Sequence, residues 1–190
     1  MKSPKDTGPK LGEEHGALPA LSPAPSVLIV AAPFYRNIAD GLIAGARAML
    51  DAAGAAHELV EVPGALEIPV AIRLAAATGA WEGYVALGCV IRGETTHYET
   101  VCNDSSRGLM WLGVERGLAI GNGILTCESM AQAEVRADPD GMDKGGGAAA
   151  AALHLIALAR RFREMPGRRS AVPGDDDILL AAVTDQPGTA

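Results

Sequence analysis

The sequence predicts an α/β fold in which a four-stranded parallel sheet lies between two layers of helices, a three-layer α/β/α sandwich. Three observations carry this expectation. Short, almost wholly apolar runs at residues 26–32, 56–62, 83–91 and 118–126 alternate with longer stretches of helical periodicity. The apolar residues are mostly Ala, Val, Leu and Ile, with aromatic residues only 4% of the chain, as strands buried on both faces require. Pro or Gly stands at the end of nearly every segment, where a chain reverses.

Residues 1–25 are rich in Pro, Gly, Lys and Glu without periodicity and are expected to form a disordered tail. Residues 26–32 (SVLIVAA) form the first strand, stopped by Pro33. A helix follows from Ile38 to Ala53, with Ile38, Leu42, Ala46, Met49 and Leu50 on one face and Gly54 closing it. The second strand, 56–62, is expected to carry His57 on its exposed side. Pro63-Gly64-Ala65-Leu66-Glu67 leads into a helix reaching about Ala77, with Glu67 in its first turn.

The third strand, 83–91, runs into Arg92-Gly93-Glu94-Thr95-Thr96-His97. Thr96 and Glu99 have the spacing of a capping box, which predicts a helix from Thr96 to Arg116, ended by Gly117. Cys102, Leu109, Leu112 and Val114 fall on its apolar positions. In the fourth strand, 118–126, Gly121 and Gly123 predict a close backbone approach. Ser129 with Gln132 is a second capping box, opening a short helix that carries Arg136 near its end. After a loop at 138–141, Asp143-Lys144-Gly145 starts an alanine-rich helix to about Met165. Residues 166–190 are expected to form a second disordered tail, leaving 26–165 as the folded domain.

Composition excludes several functions. A formal net charge of −7 argues against sequence-blind binding of nucleic acid or of an anionic membrane. Cys89, Cys102 and Cys127 are odd in number and lack CxxC spacing, which fits reduced thiols in a cytoplasm rather than disulfides or a metal site. Neither a signal peptide nor a membrane span is expected. There is no GxGxxG and no Walker sequence.

Position suggests a site. Phe34, Ala65-Leu66-Glu67, Glu94-Thr95-Thr96-His97 and Thr126-Cys127-Glu128 all follow the carboxyl ends of their strands, where open parallel sheets bind ligands. Phe34 offers a platform for a planar ring, and Glu67 an acceptor for hydroxyl or amine groups. The helix start at Thr95–His97 offers unpaired N–H groups to an anion. His97 beside them suits general acid–base work. A Cys89–His97 nucleophile pair is the weaker reading, because Cys89 lies inside an apolar strand.

Several motifs occur together in the order and spacing of one family. They are Val62-Pro63-Gly64-Ala65-Leu66-Glu67-Ile68-Pro69, Gly88-Cys89-Val90-Ile91-Arg92-Gly93-Glu94-Thr95-Thr96-His97-Tyr98, Asn122-Gly123-Ile124-Leu125-Thr126, Gln132-Ala133-Glu134-Val135-Arg136-Ala137 and Asp143-Lys144-Gly145. Over roughly residues 26–163 the chain resembles 6,7-dimethyl-8-ribityllumazine synthase. The resemblance implies a flavodoxin-like sheet and a transferase of riboflavin biosynthesis. It would condense 5-amino-6-(D-ribitylamino)uracil with 3,4-dihydroxy-2-butanone 4-phosphate, releasing phosphate and water without metal or cofactor.

The same resemblance implies roles. His97 would be catalytic. Phe34 would stack on the pyrimidine. Ala65 and Glu67 would hold the ribityl chain, while Val90 and Ile91 would contact ring and ribityl chain through their backbones. Leu66 and Cys89 would belong to the same substrate-binding set. Glu94, Thr95, Arg136 and Lys144 would bind phosphate, and Asn122 would wall the ring pocket. Asn122 stands where an aromatic or other apolar residue is common, and Phe34-Tyr35 departs from a frequent Arg-Phe-Asn. A homopentamer is implied, alone or in a higher assembly, with sites between subunits, Asn122 and Arg136 coming from the neighbour. The alternative is a flavin- or lumazine-binding storage or sensor protein of the same fold, which would need neither His97 nor Arg136.

Overall fold

Among the described residues four strands alternate with five helices in the order the apolar runs predict. The computed structural model describes residues 18–165. The elements are β1 (Ser26–Ala31), α1 (Arg36–Ala52), β2 (Ala56–Glu61), α2 (Glu67–Ala76), β3 (Gly83–Ile91), α3 (His97–Arg116), β4 (Ala119–Cys127), α4 (Met130–Ala137) and α5 (Lys144–Arg163). All strand pairs are parallel, in the order β2-β1-β3-β4. Most of the described chain, through Leu158, belongs to one compact unit. Ala159 onward belongs to a second, whose described part is the end of α5, where Glu164 N–H donates to the Arg160 carbonyl at 3.2 Å.

Alternate residues of the strands supply two cores. On one face Val27, Ile29, Val85, Leu87 and Leu125 pack with Ile38 and Leu42 of α1, Ala133 of α4, and Ala149, Leu153 and Ile156 of α5. On the other, Leu28, Val30, Tyr84 and Ala86 pack with Ile68 and Ile72 of α2 and Leu109 and Leu112 of α3. This is the three-layer sandwich, and burial of β1 and β3 on both faces explains their unbroken apolar sequence. Leu18 and Leu21, assigned to the N-terminal tail by composition, lie against the first core. The remaining tail residues, 1–17 and 166–190, lie outside the described residues.

The glycines of β4 do what their spacing suggested. A β-carbon on Gly121 would collide with the carbonyl oxygen of Ala148, and one on Gly123 would lie 3.0 Å from the Ala148 β-carbon. Helix α5 therefore rests directly on the edge strand. Ser129 caps α4 as expected, its hydroxyl accepting from Gln132 N–H at 3.4 Å, while the Gln132 side chain accepts from Glu128 N–H at 2.9 Å.

Local expectations fail in three places. Thr96 precedes α3 but makes no side-chain cap: Glu99 N–H goes to the Thr96 carbonyl at 3.1 Å, and the Glu99 carboxylate pairs with Arg92. His57 is not on an exposed side: its side chain is 18% exposed, with Nε2 2.9 Å from Asp51 Oδ1 near the end of α1. Val114, placed on the apolar face of α3, is 70% exposed.

Candidate functional site

The carboxyl ends of β1, β2 and β3 open onto a groove of about 440 Å³. Each strand end delivers one wall. After β1, Ala32 N–H donates to the Leu87 carbonyl at 2.8 Å, and Pro33 then turns the chain outward. Phe34 is left 73% exposed, its ring edge-on to Tyr35 at 5.0 Å. The turn is held to the end of β2 by Arg36, whose guanidinium donates to both Glu61 oxygens at 2.6 and 3.0 Å. That pairing keeps the Glu61 carboxyl below the ordinary carboxylate range.

After β2, Glu67 N–H donates to the Gly64 carbonyl at 3.2 Å. Glu67 Oε2 lies 2.9 Å from where a β-carbon on Gly64 would be, so a side chain there would push the carboxylate aside. Glu67 has no ion-pair partner among the described residues, and an acceptor facing the groove remains open to a ligand. Ala65 is buried and Leu66 is 36% exposed beside it.

After β3, Cys89, Val90 and Ile91 form the floor. Burial pushes the Cys89 thiol up to about 12, so it stays protonated near neutrality and the nucleophile-pair reading loses its thiolate. The loop that follows has few bonds of its own. His97 N–H reaches the Thr95 hydroxyl at 3.4 Å and Glu99 N–H the Thr96 carbonyl at 3.1 Å. Among the described residues, the N–H groups of Glu94, Thr95 and Thr96 donate to nothing, which suits an anion at the start of α3. The His97 side chain is exposed at the groove.

The sequence-predicted residues divide into two sets. Phe34, Ala65, Leu66, Glu67, Cys89, Val90, Ile91, Thr95 and His97 line this groove together. Asn122, Arg136 and Lys144 line another, of about 360 Å³, beside the edge strand β4. Glu94 lines neither and projects from its loop. In the second groove Asn122 Oδ1 accepts from Ile124 N–H at 3.0 Å, and Arg136 donates to the Gln132 carbonyl at 3.1 Å. Lys144 opens α5, where Asp143 caps the helix by accepting from Gly146 N–H at 3.0 Å. A β-carbon on Gly145 would collide with the Leu42 carbonyl oxygen, so α5 begins tight against α1.

Sequence reasoning missed Tyr35, Tyr98 and Val101 in the first groove and the role of Arg92 next to it. Arg92 Nε donates to Glu128 Oε2 at 2.7 Å, its Nη1 pairs with Glu99, and its guanidinium lies 4.1 Å from the Tyr98 ring centroid. It lies in the Gly88–Tyr98 motif, but nothing local signals a partner as distant in sequence as Glu128. Among the described residues no group of three or more His, Cys, Asp or Glu could hold a metal ion, and no helix is long and apolar enough to cross a membrane.

A family model described as 6,7-dimethyl-8-ribityllumazine synthase matches residues 24–160. Proteins of that name are similar over most of the chain. The one from Jannaschia sp. is 53% identical over 145 residues, covering 76% of this chain and 81% of its own. That from Sphingopyxis alaskensis is 58% identical over 136 residues, 72% of this chain and 96% of its own. That from Bartonella tribocorum is 57% identical over 139 residues, 73% and 92% respectively. With the parallel sheet, the groove at its carboxyl edge and the family match, this chain belongs to the 6,7-dimethyl-8-ribityllumazine synthase family.

Proposed function

We propose that this chain makes 6,7-dimethyl-8-ribityllumazine at a site shared by two neighbouring copies of itself. The single observation that carries the shared site is the division of the binding residues. Among the described residues no Lys or Arg lines the groove holding His97, whereas Arg136 and Lys144 lie at the other groove of the same chain. A phosphate-bearing substrate needs positive charge beside the histidine. Placing the β4 face of one copy against the Phe34–His97 face of the next supplies it.

The surface supports assembly. Val70 and Leu74 on α2 and Met110, Trp111 and Val114 on α3 are 49–70% exposed, an apolar area that association would bury. Edge strand β4 likewise leaves backbone groups without a strand partner among the described residues. Copies related head to tail by rotation close into a ring, and the ring intended here is a homopentamer in the cytoplasm, with higher assembly open to it.

In the combined site Phe34 stacks on the pyrimidine of 5-amino-6-(D-ribitylamino)uracil. Glu67 and the Ala65–Leu66 backbone hold the ribityl hydroxyls, and the Cys89–Ile91 floor lies along the ring, with Asn122 of the neighbour as the opposite wall. The phosphate of 3,4-dihydroxy-2-butanone 4-phosphate rests on the N–H groups of Glu94 and Thr95, with the neighbour's Arg136 and Lys144 supplying charge. The 5-amino group condenses with the ketone and water leaves. Phosphate is then eliminated, and the ribitylamino nitrogen closes the ring with loss of a second water. His97 moves protons in these steps. Holding both reactants together supplies much of the acceleration.

The test follows lumazine formation and phosphate release with both substrates. His97→Ala is expected to lower kcat on the order of ten- to a hundredfold without abolishing turnover. Arg136→Ala is expected to raise KM for the phosphate substrate by a similar factor. Co-expressing the two variants restores intact sites at about a quarter of the interfaces of a ring, giving more activity than the mean of the parents. No gain in the hybrid would overturn the shared site. Tight binding of the ribityl-bearing ring without any turnover would favour the storage or sensor reading.

A further inference from the structure

Arg92 stands between the two sets of residues and touches the support of each. Its backbone N–H donates to the Cys127 carbonyl at 3.0 Å, fixing it where β3 and β4 end side by side. Its side chain reaches both ways from there. Toward α3, the guanidinium covers the Tyr98 ring at 4.1 Å and pairs with Glu99, the two residues directly after His97. Toward α4, Nε donates to Glu128 Oε2 at 2.7 Å. Glu128 N–H in turn donates to the Gln132 side chain at 2.9 Å, and Gln132 accepts from Arg136 through its carbonyl at 3.1 Å.

Helix α3 begins without a side-chain cap at Thr96, and the local side-chain bond to His97 is a long one, from its N–H to the Thr95 hydroxyl at 3.4 Å. The contacts of Arg92 add to it. A planar fork is suited to this because it meets two carboxylates and an aromatic face at once, which an ammonium group cannot do. The guanidinium is 39% exposed and its partners more so, and ion pairs this exposed contribute little to stability. Their consequence is therefore geometric. A catalytic group displaced by even a fraction of its reach loses rate steeply.

We propose that Arg92 is a positioning residue that orients His97 through Tyr98 and Glu99 and orients Arg136 through Glu128 and Gln132. It thereby ties the catalytic group of one site to the phosphate-binding group that the same chain lends to the next. This rests on the reading of His97 and Arg136 as halves of neighbouring sites.

The test compares Arg92→Ala, Arg92→Lys, Glu99→Gln and Glu128→Gln with the wild-type assembly, by steady-state kinetics, thermal unfolding and the ring resonances of His97 in NMR spectra. Arg92→Ala is expected to lower kcat on the order of tenfold with the unfolding temperature nearly unchanged, and Arg92→Lys to recover part of the loss. Glu99→Gln is expected to lower kcat and shift the His97 resonances while leaving KM for the phosphate substrate in place. Glu128→Gln is expected to raise that KM and leave the His97 resonances where they are. Unchanged kinetics and resonances in Arg92→Ala would overturn the proposal. So would a lower KM for the phosphate substrate in both Gln variants, which would mean that Arg92, once released, binds phosphate itself. Were the wild type to show no turnover, the enzymatic reading would fall, and the His97 resonances would still decide the role of Arg92.

Discussion

The carbonyl oxygen of Ala148 on α5 occupies the space that a β-carbon on Gly121 of β4 would need. This contact seats the last helix on the edge strand, and with it Lys144 at one end of the groove that Asn122 and Arg136 share. Gly121→Ala is expected to destabilise the fold by about 1–3 kcal/mol, because the obstructing atom is backbone and cannot swing aside. Gly113→Ala is the control. Its β-carbon would meet nothing closer than the Leu118 carbonyl oxygen at 3.8 Å, and a half-buried helical position with room for the methyl gains about 0.5–1 kcal/mol from the exchange. Calorimetric unfolding of both variants checks the pair, and equal effects would contradict the packing argument.

Phe34 is 73% exposed and its ring lies edge-on to Tyr35, so truncating it removes little buried surface. Phe34→Ala is therefore expected to change stability by less than about 0.5 kcal/mol. If the ring is a stacking platform, the same change weakens binding of the lumazine product by about tenfold. Fluorescence titration measures this directly. An unaltered affinity would remove Phe34 from the site.

The Arg36–Glu61 pair gives a pH signature. A hydrogen bond from Arg36 lowers the Glu61 carboxyl from its ordinary value of 4.5. A depressed folded value means that the stabilisation is fully present above the unfolded value and is lost as pH falls through the folded one. The pair is exposed and screened by solvent, so Glu61→Gln is expected to unfold only slightly below the wild type at neutral pH, with the gap closing as pH falls through the lowered Glu61 value. A gap that persists in acid would show that the substitution acts by something other than charge.

Much of the fold was legible because its signals are local. Apolar runs bounded by Pro or Gly marked the strands, and burial of β1 and β3 on both faces left them without polar interruption. Ser129 and Gln132 lie close enough along the chain for their capping box to form whatever surrounds them. Gly121 and Gly123 announced a close approach, although not by what. The Thr96–Glu99 box had the same spacing and failed: Glu99 N–H goes to the Thr96 carbonyl, and Arg92, just past the end of β3, takes the Glu99 carboxylate. His57 was misplaced for a similar reason, since its partner Asp51 belongs to the preceding helix.

By itself, then, the sequence determined the order of the elements, the family to which they belong and the strand ends from which the site is built. Periodicity and turn chemistry act over a few residues and are written in consecutive positions. The tertiary structure alone decided which of those residues meet. It gathers Phe34, Glu67 and His97 into one groove and turns Asn122, Arg136 and Lys144 toward another. It also sets Arg92 between Glu99 and Glu128, partners seven and thirty-six positions away along the chain. The reason is that strand order β2-β1-β3-β4 puts β4 at the sheet's edge, and no local signal states which strand ends there.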